Sequence, residues 1–124
     1  MPSPHDIRET VRHYVKLLSA GDADGIIALF AEDPTVEDPV GVNTISGRQA
    51  VRDFYAGMSG KLQVQLTGPI RVAGTECAFP MLARAELGGP ATEMDVIDVM
   101  AFDDDGKIAS MRAFWNPGEM RPAS

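Results

Sequence analysis

The chain has 124 residues, 44% hydrophobic and 23% charged, which fits one globular domain over 1–124 rather than a fibrous or disordered chain. A formal net charge of -7 argues against a nucleic-acid reader, which needs a basic face to release counterions, and disfavours an anionic membrane surface. One cysteine, Cys77, excludes an internal disulfide, no Cys/His cluster has metal-ligand spacing, and no signal-peptide pattern or membrane-spanning run is legible, so a cytoplasmic, metal-free protein is expected.

The segment "SPHD" reads as a helix start, with Ser3 as cap, Pro4 in the first turn and Asp6 closing an S-x-x-D box. Ile7, Val11, Tyr14, Val15 and Leu18 follow at helical spacing, and Gly21 ends the helix. Asp22 caps a short second helix through Ile26, Ile27, Leu29 and Phe30. Two Asp-Pro steps in "DPTVEDPVG" forbid helix and favour extended or turn geometry. "GRQAVRDFYAGM" predicts a third helix with Val51, Phe54, Tyr55 and Met58 on one side.

After Gly60 the pattern becomes strands broken by turns: "KLQVQLTG", "PIRVAG", "ECAFPMLARAEL", "TEMDVIDVMAF" and "KIASMRAFW". The tail from 117 to 124 is expected to fray. Helices first and strands afterwards predict an α+β fold, with three helices laid on one face of a curved sheet.

The strand "MDVIDVMAF" carries an anomaly, because Asp98 lies in the same row as Met94, Val96, Met100 and Phe102. Ile97, Val99 and Ala101 make the opposite face apolar too, so the strand is expected to be buried on both sides. Either the carboxylate escapes to water at an edge or bulge, or it is buried and keeps its proton. A protonated carboxyl in an apolar pocket is a hydrogen-bond donor, which suits a developing oxyanion.

Asp38, in "VEDPVG", either starts a turn with Pro39 or presents a general base from a rigid loop at a pocket mouth, ionised because water reaches it. Alternation points its neighbour Glu37 the other way. Tyr14 and Tyr55 are the two tyrosines of the chain and both face inward from different helices. Each is accounted for by core packing, or together with Asp98 they form a donor network. Met111 and Trp115 share a face of the last strand and line either core or an apolar pocket. His5 and His13 read as surface helix residues.

The coincidence of "VEDPVG", "IDVM" and the helical "HY" and "FY" pairs resembles the bacterial ketosteroid isomerases, of the nuclear-transport-factor-like and polyketide-cyclase-like α+β cone fold. The likeness runs over nearly the whole chain and is weakest in "ECAFPMLARAEL". It implies a curved mixed or antiparallel sheet with helices on its concave face. It also implies a steroid delta-isomerase acting without cofactor on a small-molecule 3-ketosteroid, and a homodimer. That family is a familiar case of pKa tuning, with an Asp base beside an oxyanion hole made of a tyrosine and a protonated Asp. On the matching positions the resemblance makes Asp38 the base, Tyr14 and Asp98 the oxyanion donors, and Tyr55 the support of Tyr14. Met111 and Trp115 match pocket residues, with Phe54 and Val99 added to that lining, while Phe30 replaces a further tyrosine found in some members. The alternatives are a non-catalytic carrier of apolar ligands, a polyketide cyclase or epoxide hydrolase of the same fold, and a scaffold using the outer sheet face.

Overall fold

A computed structural model describes residues 1–123. Three helices, α1 (Pro4–Ala20), α2 (Ala23–Ile27) and α3 (Arg48–Gly57), cover one face of a mixed sheet. The strands are β1 (Phe30–Glu37), β2 (Thr44–Ser46), β3 (Leu62–Leu66), β4 (Arg71–Ala73), β5 (Glu76–Ala85), β6 (Thr92–Phe102), β7 (Ile108–Phe114) and β8 (Arg121–Pro122). Their order is β2-β1-β7-β6-β5-β3, with β4 paired to β5 and β8 to β6. The β1–β7 pair is parallel and the others are antiparallel. The α+β expectation therefore holds, with β2 as a short strand that the sequence pattern did not reveal.

Local chemistry sets the helix positions. The Ser3 hydroxyl accepts the Asp6 amide at 3.1 Å while the Asp6 carboxylate accepts the Ser3 amide at 3.2 Å, so the expected capping box closes the start of α1. At the other end Gly21 sits at φ 70, and a Cβ there would lie 2.6 Å from Ser59 Oγ. Only glycine lets the end of α1 approach the turn after α3 this closely. The Ser59 hydroxyl donates to the Gly21 carbonyl at 2.7 Å across that contact.

The core lies between the helices and the inner face of the sheet. Ile7, Val11, Tyr14 and Leu18 of α1 meet Val51 and Tyr55 of α3 and the alternate residues Cys77, Phe79, Met81 and Ala83 of β5. The period-two burial along β5 and β6 leaves their other face toward solvent.

Two expectations need correction. Strand β6 is buried on one face only, because among the described residues no layer covers the far side: Ile97 is 50% and its cross-strand partner Phe114 is 42% exposed. The tail is also more structured than expected. Pro117–Glu119 forms a 3-10 turn, and β8 pairs with β6 at Thr92 and Glu93, where Arg121 bonds Asp95 at 3.1 Å. Backbone pairing and this ion pair tie the segment down; position 124 lies outside the described residues.

Candidate active site

Asp98 is 2% exposed and is the one buried charged residue among those described. Its strand places it between Val96 and Met100, and its cross-strand neighbours are Phe79 of β5 and Ala113 of β7. Its side chain borders a cavity under the helices. Burial, followed by the charge of Asp38, pushes the Asp98 carboxyl well above the usual carboxylate range. The escape to water is excluded by this placement.

The α1 stripe carries Tyr14 to the same cavity and α3 carries Tyr55. Their hydroxyls lie 2.8 Å apart, and the rings meet edge to face at 6.0 Å. Burial raises both phenols well above their usual value, so both stay protonated. In a pair of hydroxyls, one donates and the other keeps its proton for a further acceptor. Phe54 and Phe30 pack on Tyr55 at 5.2 and 5.9 Å, which fixes its ring in place. Phe30 offers no hydroxyl, so no third tyrosine continues this pair.

Asp38 follows β1 in a closed loop. Its amide bonds the Asn43 carbonyl at 2.9 Å, the amide of Val40 bonds Ala113 at 3.0 Å, and the Asp38–Pro39 peptide is cis. The Trp115 indole N–H donates to Asp38 Oδ1 at 2.6 Å. Asp38 is less open to water than expected, and desolvation raises its carboxyl above the ordinary value while the Trp115 bond opposes that rise. Glu37 points the other way, as expected, and pairs with Arg112 at 2.9 Å.

Asp38, Tyr14, Tyr55, Asp98, Phe54 and Trp115 thus border one cavity whose remaining wall is almost wholly apolar. Met111 and Val99 do not line it. Met111 is 1% exposed and fills the core beneath the cavity, opposite Met100. Val99 follows Asp98 in the strand and points to the outer face.

Two contributions were not legible. Trp115 was expected as apolar lining, yet it donates a hydrogen bond to Asp38; its single N–H, which needs a partner when buried, was the available signal. Met120 borders the cavity from the tail, and nothing in "NPGEMRPAS" announces that.

Chemically, the cavity brings the Asp38 carboxyl, shielded from bulk water, near Tyr14, Tyr55 and Asp98, whose protonated forms burial favours. That arrangement can move a proton on an apolar ligand and hold the negative charge that results.

Residues 11–111 match the family model described as a SnoaL-like domain. The chain belongs to the SnoaL-like family. It is 40% identical to the steroid Delta-isomerase of Nocardioides simplex over 116 residues, 93% of this chain and 94% of that one. It is 30% identical to the epoxide hydrolase LasB of Streptomyces lasalocidi over 92% of this chain, spanning about half (49%) of that protein. Among solved structures, the epoxide hydrolase/cyclase-like enzyme SalBIII, which acts in pyran ring formation in salinomycin, superimposes with TM-score 0.88. That match is 26% identical and covers 99% of this chain and 100% of SalBIII. The expected likeness to steroid delta-isomerases and the cone-type fold both hold. This SnoaL-like chain is an enzyme of the isomerase and cyclase kind. Among the described residues no helix is long and apolar enough to cross a membrane.

Proposed function

We propose that this SnoaL-like protein is a steroid delta-isomerase, converting β,γ-unsaturated 3-ketosteroids to their conjugated α,β-unsaturated isomers. The observation that carries this reading is the meeting, in one largely apolar cavity, of the partly buried Asp38 carboxyl with Tyr14 and Asp98, whose protonated forms burial favours. Asp38 takes the proton from the carbon between ketone and double bond, and the released electron pair passes to the ketone oxygen as a dienolate. Tyr14, with Tyr55 hydrogen-bonded behind it, and the Asp98 carboxyl donate to that oxygen. The Asp38 carboxyl then returns its proton to the far end of the dienolate, so the step is neutral overall. The ketone is the electron sink and no cofactor takes part.

Desolvation serves this sequence twice. It raises Asp38 toward the proton affinity a base needs near neutral pH, and it strengthens the donors facing the oxygen. Identity of 40% over nearly the full length of a steroid Delta-isomerase supports the substrate class.

A second reading, epoxide opening or ring closure on a polyether precursor, draws on LasB and SalBIII. Among the described residues the polar groups bordering the cavity are Asp38, Tyr14, Tyr55, Asp98, Trp115 and Lys61, and the grouping of one base candidate with donors that face it favours proton shuttling. Absorbance of a β,γ-unsaturated 3-ketosteroid separates the readings: growth of the conjugated-enone band with the protein, absent with Asp38→Asn, supports the isomerase. No growth, with turnover of an epoxide instead, replaces it by the second reading.

The outer face enters the same proposal. Ile97 and Phe114 stand directly opposite one another across β6 and β7, both large, apolar and exposed. We infer that a second copy of the chain covers them.

A further inference from the structure

The cavity extends well past the four polar groups. Asp98 stands beside Phe79 on β5, and the cavity wall continues along that strand through Met81 and Ala83 to Ala85. From Phe79 to Ala85 the strand runs roughly 20 Å, longer than a four-ring steroid nucleus. With the ketone held at Tyr14 and Asp98, the far end of the nucleus and any substituent beyond it lie among Leu62, Ala85, Leu87, Met94 and Met120. These come from β3, β5, the turn after it, β6 and the segment before β8.

Among the described residues Lys61 is the one hydrogen-bonding side chain bordering that end. Its carbonyl accepts the Glu86 amide at 2.9 Å, next to the Leu62–Ala85 pair whose side chains face inward. Lys61 borders both the cavity and an outer hollow that it shares with Arg84 and Glu86. Leu87, by contrast, is 65% exposed while bordering the cavity, an apolar side chain left uncovered at its mouth. Met120 reaches the same mouth from a segment pinned by β8, and its unbranched side chain adapts to what it touches.

Resting on the isomerase reading, we propose that the substrate carries an alkyl substituent at the ring remote from the ketone. Leu87 and Met120 seat that chain and determine specificity for it. The Leu87 and Met120 side chains themselves offer an oxygen no hydrogen-bond partner, whereas each methylene buried against them tightens binding about fourfold.

The test compares β,γ-unsaturated 3-ketosteroids bearing a 17-ethyl group, a 17-ketone or a 17-linked carboxylate. KM and kcat come from enone absorbance, and affinity for each conjugated product comes from quenching of Trp115, the one tryptophan. The expected result is a KM for the ethyl compound about tenfold below that for the ketone, with similar kcat. In Leu87→Ser and, separately, Met120→Ser that ratio falls toward one. Two positions are needed because Met120→Ser alone could loosen β8. A ketone bound as well as the ethyl compound, or a preference that survives in both variants, overturns the proposal and leaves the isomerase standing. A preferred carboxylate, lost in Lys61→Ala, overturns it in favour of an anion at the mouth. Failure of all three steroids to turn over or to quench Trp115 removes the isomerase reading, and this one with it.

Discussion

Trp115 and Asp38, 77 residues apart, share a hydrogen bond of 2.6 Å in which the indole is the donor. A donor to a carboxylate favours its ionised form, so this bond holds the Asp38 carboxyl below the value that desolvation alone would give it. Trp115→Phe keeps the ring and removes the N–H. The acidic limb of the kcat/KM profile, below which Asp38 is protonated, should move to higher pH. Activity at pH 6 should fall more than activity at pH 8. A limb that stays in place would show that Trp115 serves as packing alone.

Asp38→Asn removes the proton acceptor while preserving shape. Turnover should fall at least by the 10²–10⁴-fold typical of positioned acid–base catalysis, roughly, with steroid affinity retained in a quenching titration. Full activity would exclude Asp38 as the base.

The two tyrosines should separate by degree. Tyr14→Phe takes away a direct donor, and kcat should fall about 10²–10³-fold. Tyr55→Phe leaves Tyr14 its proton and removes a supporting bond, so a smaller loss is expected. Equal losses would mean that both hydroxyls reach the substrate, which single-turnover kinetics on the pair of variants would register.

How far these assignments were legible depends on the residue. Asp98 announced itself, because a carboxyl in a row of Val96, Met100 and Phe102 violates the strand's own period. The helix ends were equally plain, since Ser3, Asp6, Gly21 and Asp22 act on atoms within a turn of themselves. Contacts made by pairing were not. Alternating apolar residues on both faces of β6 cannot say which face has a neighbouring layer, so Ile97 was misjudged as buried. Val99 was placed in the pocket for want of the same knowledge, and Met111 because sharing a face with Trp115 does not reveal depth. The tail was dismissed because Met120 and Arg121 depend on partners in β6 that no local pattern encodes.

Asp98 also makes a prediction about stability. Its folded value lies above its unfolded one, so the native carboxyl keeps a proton that the unfolded chain gives up. Such a group favours the fold at pH below the ordinary carboxylate value. That advantage is lost as pH rises toward the folded value, at up to about 1.4 kcal/mol per pH unit. Asp98→Asn cannot ionise. Its melting temperature should exceed that of the wild type at pH 7, and the gap should close by about pH 4. A gap independent of pH would mean that Asp98 is not held protonated. Enone formation by the same variant should nonetheless slow.

The exposed Ile97–Phe114 pair predicts an assembly. Ile97→Lys puts a charge into the inferred contact, and sedimentation should then report a monomer where the wild type gives a dimer. A wild-type monomer at all concentrations would dismiss the contact.

The parallel pairing of β1 with β7 joins an early strand to one of the last to be made. When a ribosome has delivered the chain as far as β6, Asp38 is already out but has no indole to meet, and Asp98 has no Ala113 beside it. The cavity wall that completes both is translated at the end. A chain that stops short of β7 and Trp115 thus lacks both the partner of Asp38 and the neighbour of Asp98, and the cavity is walled in only once they are made.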